Sequence, residues 1–185
     1  MQAARGASLT DAETESDDAG SRTRIRATFV VVALAAYLLD VATKILAVEH
    51  LRERDVELVG SWFVLHLTRN AGAAFSTGTE LTLVISLVAV AAVVAVLWFA
   101  RRLGSTTWAW ALGLLLAGVA GNLTDRLFRS PAPLRGHVID FLMVPNWPVF
   151  NIADICINVA AGLIVLQAFR GIGIDGRRHG REQAA

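Results

Sequence analysis

Four stretches of this chain are apolar for long enough to cross a bilayer, and strongly polar residues gather at one set of their ends. The first covers residues 27–47, nearly all apolar, and follows Arg22, Arg24 and Arg26. At about 1.5 Å per residue, some twenty residues span a hydrocarbon core of roughly 30 Å. A basic flank before an apolar run also suits a cleaved signal peptide. The run is too long for a typical hydrophobic region of that kind, and no clear A-x-A site leading into a soluble domain follows it. Further spans are predicted over residues 81–100, 108–123 and about 149–169. Four crossings return both termini to one side. Basic residues mark that side as cytoplasmic: the three leading arginines, then Arg101 and Arg102, then Arg170, Arg177 and Arg178. Arg52, Arg54, Arg69, Arg129 and Arg135 stand in the opposite loops and weaken the bias.

Between the first two spans, residues 56–68 read VELVGSWFVLHLT. Aromatic and β-branched residues dominate, and Gly60 and Ser61 break the run, so strands or a hairpin are predicted. The expected architecture is an all-α membrane fold: four transmembrane helices with a small extracytoplasmic sheet. Residues 1–22 are small, polar and acidic and are expected to be a disordered cytoplasmic tail. The membrane domain takes 23–172, and 173–185 form a second cytoplasmic tail.

Composition supports this. An apolar fraction of 55% and a mean hydropathy of +0.53 exceed what a soluble domain of 185 residues carries. The net charge of +1, with no arginine-rich face interleaved with aromatics, gives no sign of a nucleic-acid partner. The single cysteine, Cys156, excludes an internal disulfide and reads as a buried small hydrophobe rather than a reactive thiol. His50, His66, His137 and His179 are scattered without an H-E-x-x-H, so no metal is expected.

Residues 138–154, VIDFLMVPNWPVFNIAD, carry the chemistry. Asp140 and Asp154 are separated by Pro145 and Pro148, which rule out one continuous helix. Asp154 opens the last apolar run, where a carboxylate is costly unless used. Asn151 or Asp154 could equally cap that helix, and capping does not exclude catalysis. Two carboxylates about 4 Å apart repel by roughly 4 kcal/mol at an effective dielectric near 20, enough for the pair to hold one proton near neutral pH. Other polar residues fall at the same side. Asp40 and Lys44 sit one turn apart on the first span, as a structural ion pair or as part of a site. Asn70 begins NAGAAF, with Gly72 inside it, and could simply cap a turn. Asn122, Asp125 and Arg126 close GVAGNLTDR at the end of the third span, where Gly118 and Gly121 would admit a neighbouring backbone.

These blocks, in this order, resemble the lipoprotein signal peptidase (signal peptidase II) family: LLDVATK (38–44), NAGAAF (70–75), AGVAGNLTDR (117–126), VIDF (138–141) and FNIAD (150–154). Ala117 stands where the family pattern has a glycine, and the connection 127–137 is longer than its commonest version. The resemblance implies a four-helix membrane aspartic endopeptidase with an outward-facing site and a small β-cradle. It places the catalytic acids at Asp140 and Asp154 and supporting roles at Asn70, Gly72, Asn122, Arg126 and Asn151. Asp40 and Lys44 would lie near the substrate, and Asp125 would stand outside the catalytic pair. The implied substrate is a diacylglyceryl-modified prolipoprotein, cleaved before its lipidated cysteine by a monomer among membrane lipids, without a cofactor. A small proton-coupled transporter is the alternative, but its acids would lie near the midplane and at repeat interfaces, and no internal repeat is visible.

Overall fold

The computed structural model of the chain describes residues 3–72 and 79–178, with side chains from Gly20 onward except at 79 and 80. Helix α1 (Ala3–His50), α2 (Thr79–Ala100), α3 (Thr106–Phe128) and α4 (Ile152–Phe169) form the bundle. All four are long and apolar enough to cross a membrane, α1 over its portion Gly20–His50. The protein is therefore a multi-pass membrane protein. Large apolar side chains such as Val30, Leu38, Val88 and Val159 stay exposed on the bundle, as a lipid-facing surface requires. Helix α1 is described from Ala3, through the acidic stretch that precedes the span.

Helix α3 packs against each of the other three. Its small residues let it do so. A Cβ placed on Gly118 would meet the Ala153 carbonyl oxygen at 2.5 Å, and one on Gly121 would run into Asp40 Oδ2. Only glycine fits at these two crossings with α4 and α1.

Strands β1 (Val56–Val59), β2 (Phe63–Asn70) and β3 (Val138–Met143) form one antiparallel sheet in that order. The predicted hairpin is β1–β2. Strand β3, which carries Asp140, was not predicted. Five of its six positions are buried, so it lacks the alternation that marks a half-buried strand. Its register on β2 sets Asp140 opposite Thr68 and Val138 opposite Asn70. Ala47 and Leu51 at the end of α1 pack with Ile139, Phe141 and Leu142, seating the sheet on the bundle.

Beyond β3 the chain turns back at once. Pro145 and Pro148 bracket Asn146, whose φ of 59° is one asparagine tolerates. Phe150 then donates to the Leu142 carbonyl at 3.0 Å and accepts from the Phe141 and Leu142 amides. This return delivers Asn151 and the start of α4 beside Asp140. The longer connection from α3 to β3 is pinned by Gly136 N to Arg126 O (3.0 Å) and by Ser86 Oγ to Leu134 O (2.7 Å).

Candidate active site

The first turn of α4 is a reciprocal cap. Asn151 Oδ1 accepts from Asp154 N at 3.0 Å, and Asp154 Oδ2 accepts from Asn151 N at 3.1 Å. Committing Oδ1 to the helix turns Nδ2 of Asn151 toward β3. There it donates to Asp140 Oδ1 at 2.6 Å and contacts Asn122 Oδ1 at 3.1 Å. Asn70 is oriented in the same manner: its Oδ1 accepts from Gly72 N at 2.8 Å, and its Nδ2 donates to Asp140 Oδ2 at 2.9 Å. Asn122 completes the set. Its Oδ1 accepts from Lys44 Nζ at 2.9 Å, which leaves Nδ2 for Asp154 Oδ1 at 2.9 Å. All four carboxylate oxygens of Asp140 and Asp154 are thus held by donors on three asparagines.

Both acids line a cleft of about 460 Å³ with Asn70, Trp147, Pro148 and Asn158. Its wall continues along α4 through Ile155 and Val159, both exposed. The cleft therefore opens sideways, onto the lipid-facing surface. Asp140 is only 2% exposed. Burial pushes its carboxyl up from the ordinary 3.8 to about 6; nearby Asp154 adds to the rise, and the amides of Asn70 and Asn151 oppose it.

A second layer lies behind the pair. Lys44, 1% exposed, reaches Asp40 Oδ2 (2.8 Å), Asp125 Oδ2 (3.0 Å) and Asn122 Oδ1, which uses its three donors. Asp40 Oδ1 accepts from Ala153 N at 2.9 Å, and Asp125 accepts from Ile139 N at 3.2 Å and from Arg129 Nε. The layer thus ties α1, α3, β3 and the first turn of α4 together. Arg126 stands in the field of Asp140, Asp125 and Asp154, with its guanidinium beside Gly72, whose φ of +89° favours glycine. Among the described residues its buried Nη1 has no hydrogen-bond partner.

Comparison with known proteins agrees with this arrangement. A family model described as signal peptidase (SPase) II matches residues 32–170. The chain belongs to the signal peptidase II family. A lipoprotein signal peptidase of Leifsonia xyli subsp. xyli is 50% identical over 156 residues, covering 83% of this chain and 72% of that protein. One from Mycolicibacterium smegmatis is 45% identical over 181 residues, covering 95% and 76%. Among solved structures, one described as a bacterial membrane enzyme solved by the in meso method at 1.9 Å resolution has the same fold. Its TM-score is 0.69 at 23% identity, and the match covers 78% of this chain and 94% of that one. As a signal peptidase II, the protein is a membrane protease, and the transporter alternative has no support.

Against the sequence-based expectations for a signal peptidase II, the structure brings Asn70, Gly72, Asn122, Arg126, Asp140, Asn151 and Asp154 together at one end of the bundle. Asp40 and Lys44, expected near substrate, do not line the cleft; both are fully buried in the layer behind it. Asp125 sits in that layer too. Ala73, Ala74 and Phe75 of NAGAAF lie outside the described residues. Trp147, Asn158 and Arg129 were missed. The alternation of Asp154, Ile155, Asn158 and Val159 along one helical face was the available signal for Asn158.

Proposed function

We propose that this chain is an aspartic endopeptidase that removes the signal peptide of diacylglyceryl-modified prolipoproteins, cutting before the lipidated cysteine. Asp140 and Asp154 are its catalytic residues. The observation that carries the reading is that both acids line one cleft while the same asparagines grip all four of their oxygens.

The charges support a shared proton. Among the described residues, the linked network in and behind the cleft sets four carboxylates (Asp40, Asp125, Asp140, Asp154) against three cations (Lys44, Arg126, Arg129). A net charge at such burial is costly, and one proton on the catalytic pair cancels it. The raised affinity of Asp140 for a proton agrees with this. In the reaction the ionised acid takes a proton from water as that water attacks the scissile carbonyl, and the protonated acid donates to the carbonyl oxygen. The apparent pKa values belong to the pair. Arg126 Nη1, without a hydrogen-bond partner among the described residues, lies near the same acids and suits a substrate carbonyl.

Basic residues flanking the other helix ends support an active site on the outer face. The substrate reading rests on the family and on the lateral cleft, which lets an apolar signal helix and acyl chains stay in the bilayer while the scissile peptide reaches the acids. The test is cleavage of a diacylglyceryl-modified prolipoprotein by the purified protein with a chelator present. Asp140→Asn and Asp154→Asn should each fold, insert and lose turnover by several orders of magnitude. Wild-type turnover by either variant would remove that acid from the mechanism.

A further inference from the structure

Three of the five arginines that weaken the charge bias of the loops converge in space. Arg52, Arg69, Arg129, Ser130 and His137, with Phe128 at the edge, line a cavity of about 340 Å³ on the other side of β3 from the catalytic cleft. The two sites are separated by the strand itself: Ile139 lines this cavity and Asp140 lines the cleft, and successive side chains of a strand point to opposite faces.

Three guanidiniums around one cavity repel one another unless an anion joins them. Arg129 gives its Nε to Asp125, whose charge is also met by Lys44. Arg52 gives its Nε to the Val48 carbonyl at 2.9 Å, which fixes it over the last turn of α1. Arg69 is set by the β2–β3 register opposite Ile139. Among the described residues, no carboxylate lies within ion-pair distance of Arg52 or Arg69. Arg52 and Arg69 thus bring forked donors with no counter-charge of their own to the cavity, the donor set that suits a phosphate. Its depth is that of lipid headgroups: it lies where α1 and α3 end, and Phe128, 83% exposed, continues its edge toward the bilayer.

We propose that this cavity binds the phosphodiester headgroup of an anionic phospholipid. The lipid's charge completes the cluster of Arg52, Arg69 and Arg129, and its acyl chains lie along the apolar bundle surface. Because Arg129 also holds Asp125, and Asp125 holds the Ile139 amide, the headgroup braces the back of the strand that bears Asp140.

The test reads lipid retention, not cleavage, so it stands or falls apart from the peptidase reading. Full-length protein in detergent is mixed with equal amounts of phosphatidylglycerol and phosphatidylcholine, and retained lipid is counted by native mass spectrometry. One phosphatidylglycerol should be retained in preference. Arg52→Gln and Arg69→Gln should each weaken retention by about fivefold, and the pair should do so multiplicatively. Arg54→Gln, which removes the same charge from the same loop outside the cavity, should leave retention unchanged. Equal retention of the two lipids, or of phosphatidylglycerol by wild type and both single variants, overturns the proposal. So does complete displacement of the lipid by inorganic phosphate in modest excess, which would assign the cavity to a soluble phosphate instead. Melting curves confirm that each variant is folded.

Discussion

Lys44→Met keeps most of the side-chain volume at the centre of the buried layer and removes its charge. The loss falls unevenly on the partners of Lys44. Asp125 retains Arg129 and the Ile139 amide, and Asn122 retains Asn151. Asp40 retains only the Ala153 amide, while its Oδ2 faces Gly121 in a site closed to water. Breaking one partner out of a buried ion pair costs about 3–5 kcal/mol. For a chain of this size that corresponds to a melting temperature lower by roughly 6–20 °C. Thermal denaturation of the purified protein in detergent measures it. The decisive comparison is Lys44→Met with Asp40→Asn, which removes the stranded charge while keeping an acceptor for Ala153. If Asp40 is where the cost resides, the double variant recovers about 2 kcal/mol or more relative to Lys44→Met. A Lys44→Met protein within about 1 kcal/mol of wild type, or a double variant less stable than the single, would refute the reasoning.

Three other outcomes follow from the same geometry. Because the folded protein holds the Asp140 proton up to about pH 6 and the unfolded chain only to 3.8, stability should rise as pH falls through that window, by up to roughly 3 kcal/mol; Asp140→Asn should flatten this dependence in melts taken across pH. Asn151→Ala removes a helix cap worth about 1 kcal/mol and one of the amides on Asp140, so turnover should fall much further than stability, a split that parallel melts and cleavage assays would reveal. Gly121→Ala gains up to about 1 kcal/mol of helix propensity but drives a methyl into an Asp40 carboxylate pinned on both oxygens; overpacking of about 1–3 kcal/mol should win, giving a lower melting temperature.

The four spans were legible because hydropathy over twenty residues needs no tertiary context. Their ends were less so. Helix α1 continues to His50, past the predicted end at 47, because the last polar turn is held by the sheet and not by lipid. The cap at Asn151 and the convergence of Asn70, Asn122, Arg126, Asp140 and Asp154 were readable from spacing and from the shared side of the membrane. The strand that bears Asp140 was not, since its partner β2 lies about seventy positions earlier and a strand with five of its six positions buried has no periodicity to read. Nor could spacing tell that Asp40 and Lys44 brace the site from behind. That depends on Gly121 leaving room for a carboxylate across the α1–α3 crossing, a fact of two helices and not of either alone.

The mouth of the cleft lies on the outward stripe of α4, at Ile155 and Val159. A peptidase built this way meets its substrate as a fellow resident of the membrane plane, by lateral diffusion in two dimensions. Its turnover is then governed by how many substrate molecules share each patch of bilayer. Diluting the vesicles in buffer would leave the rate untouched, whereas diluting the substrate with inert lipid would slow it.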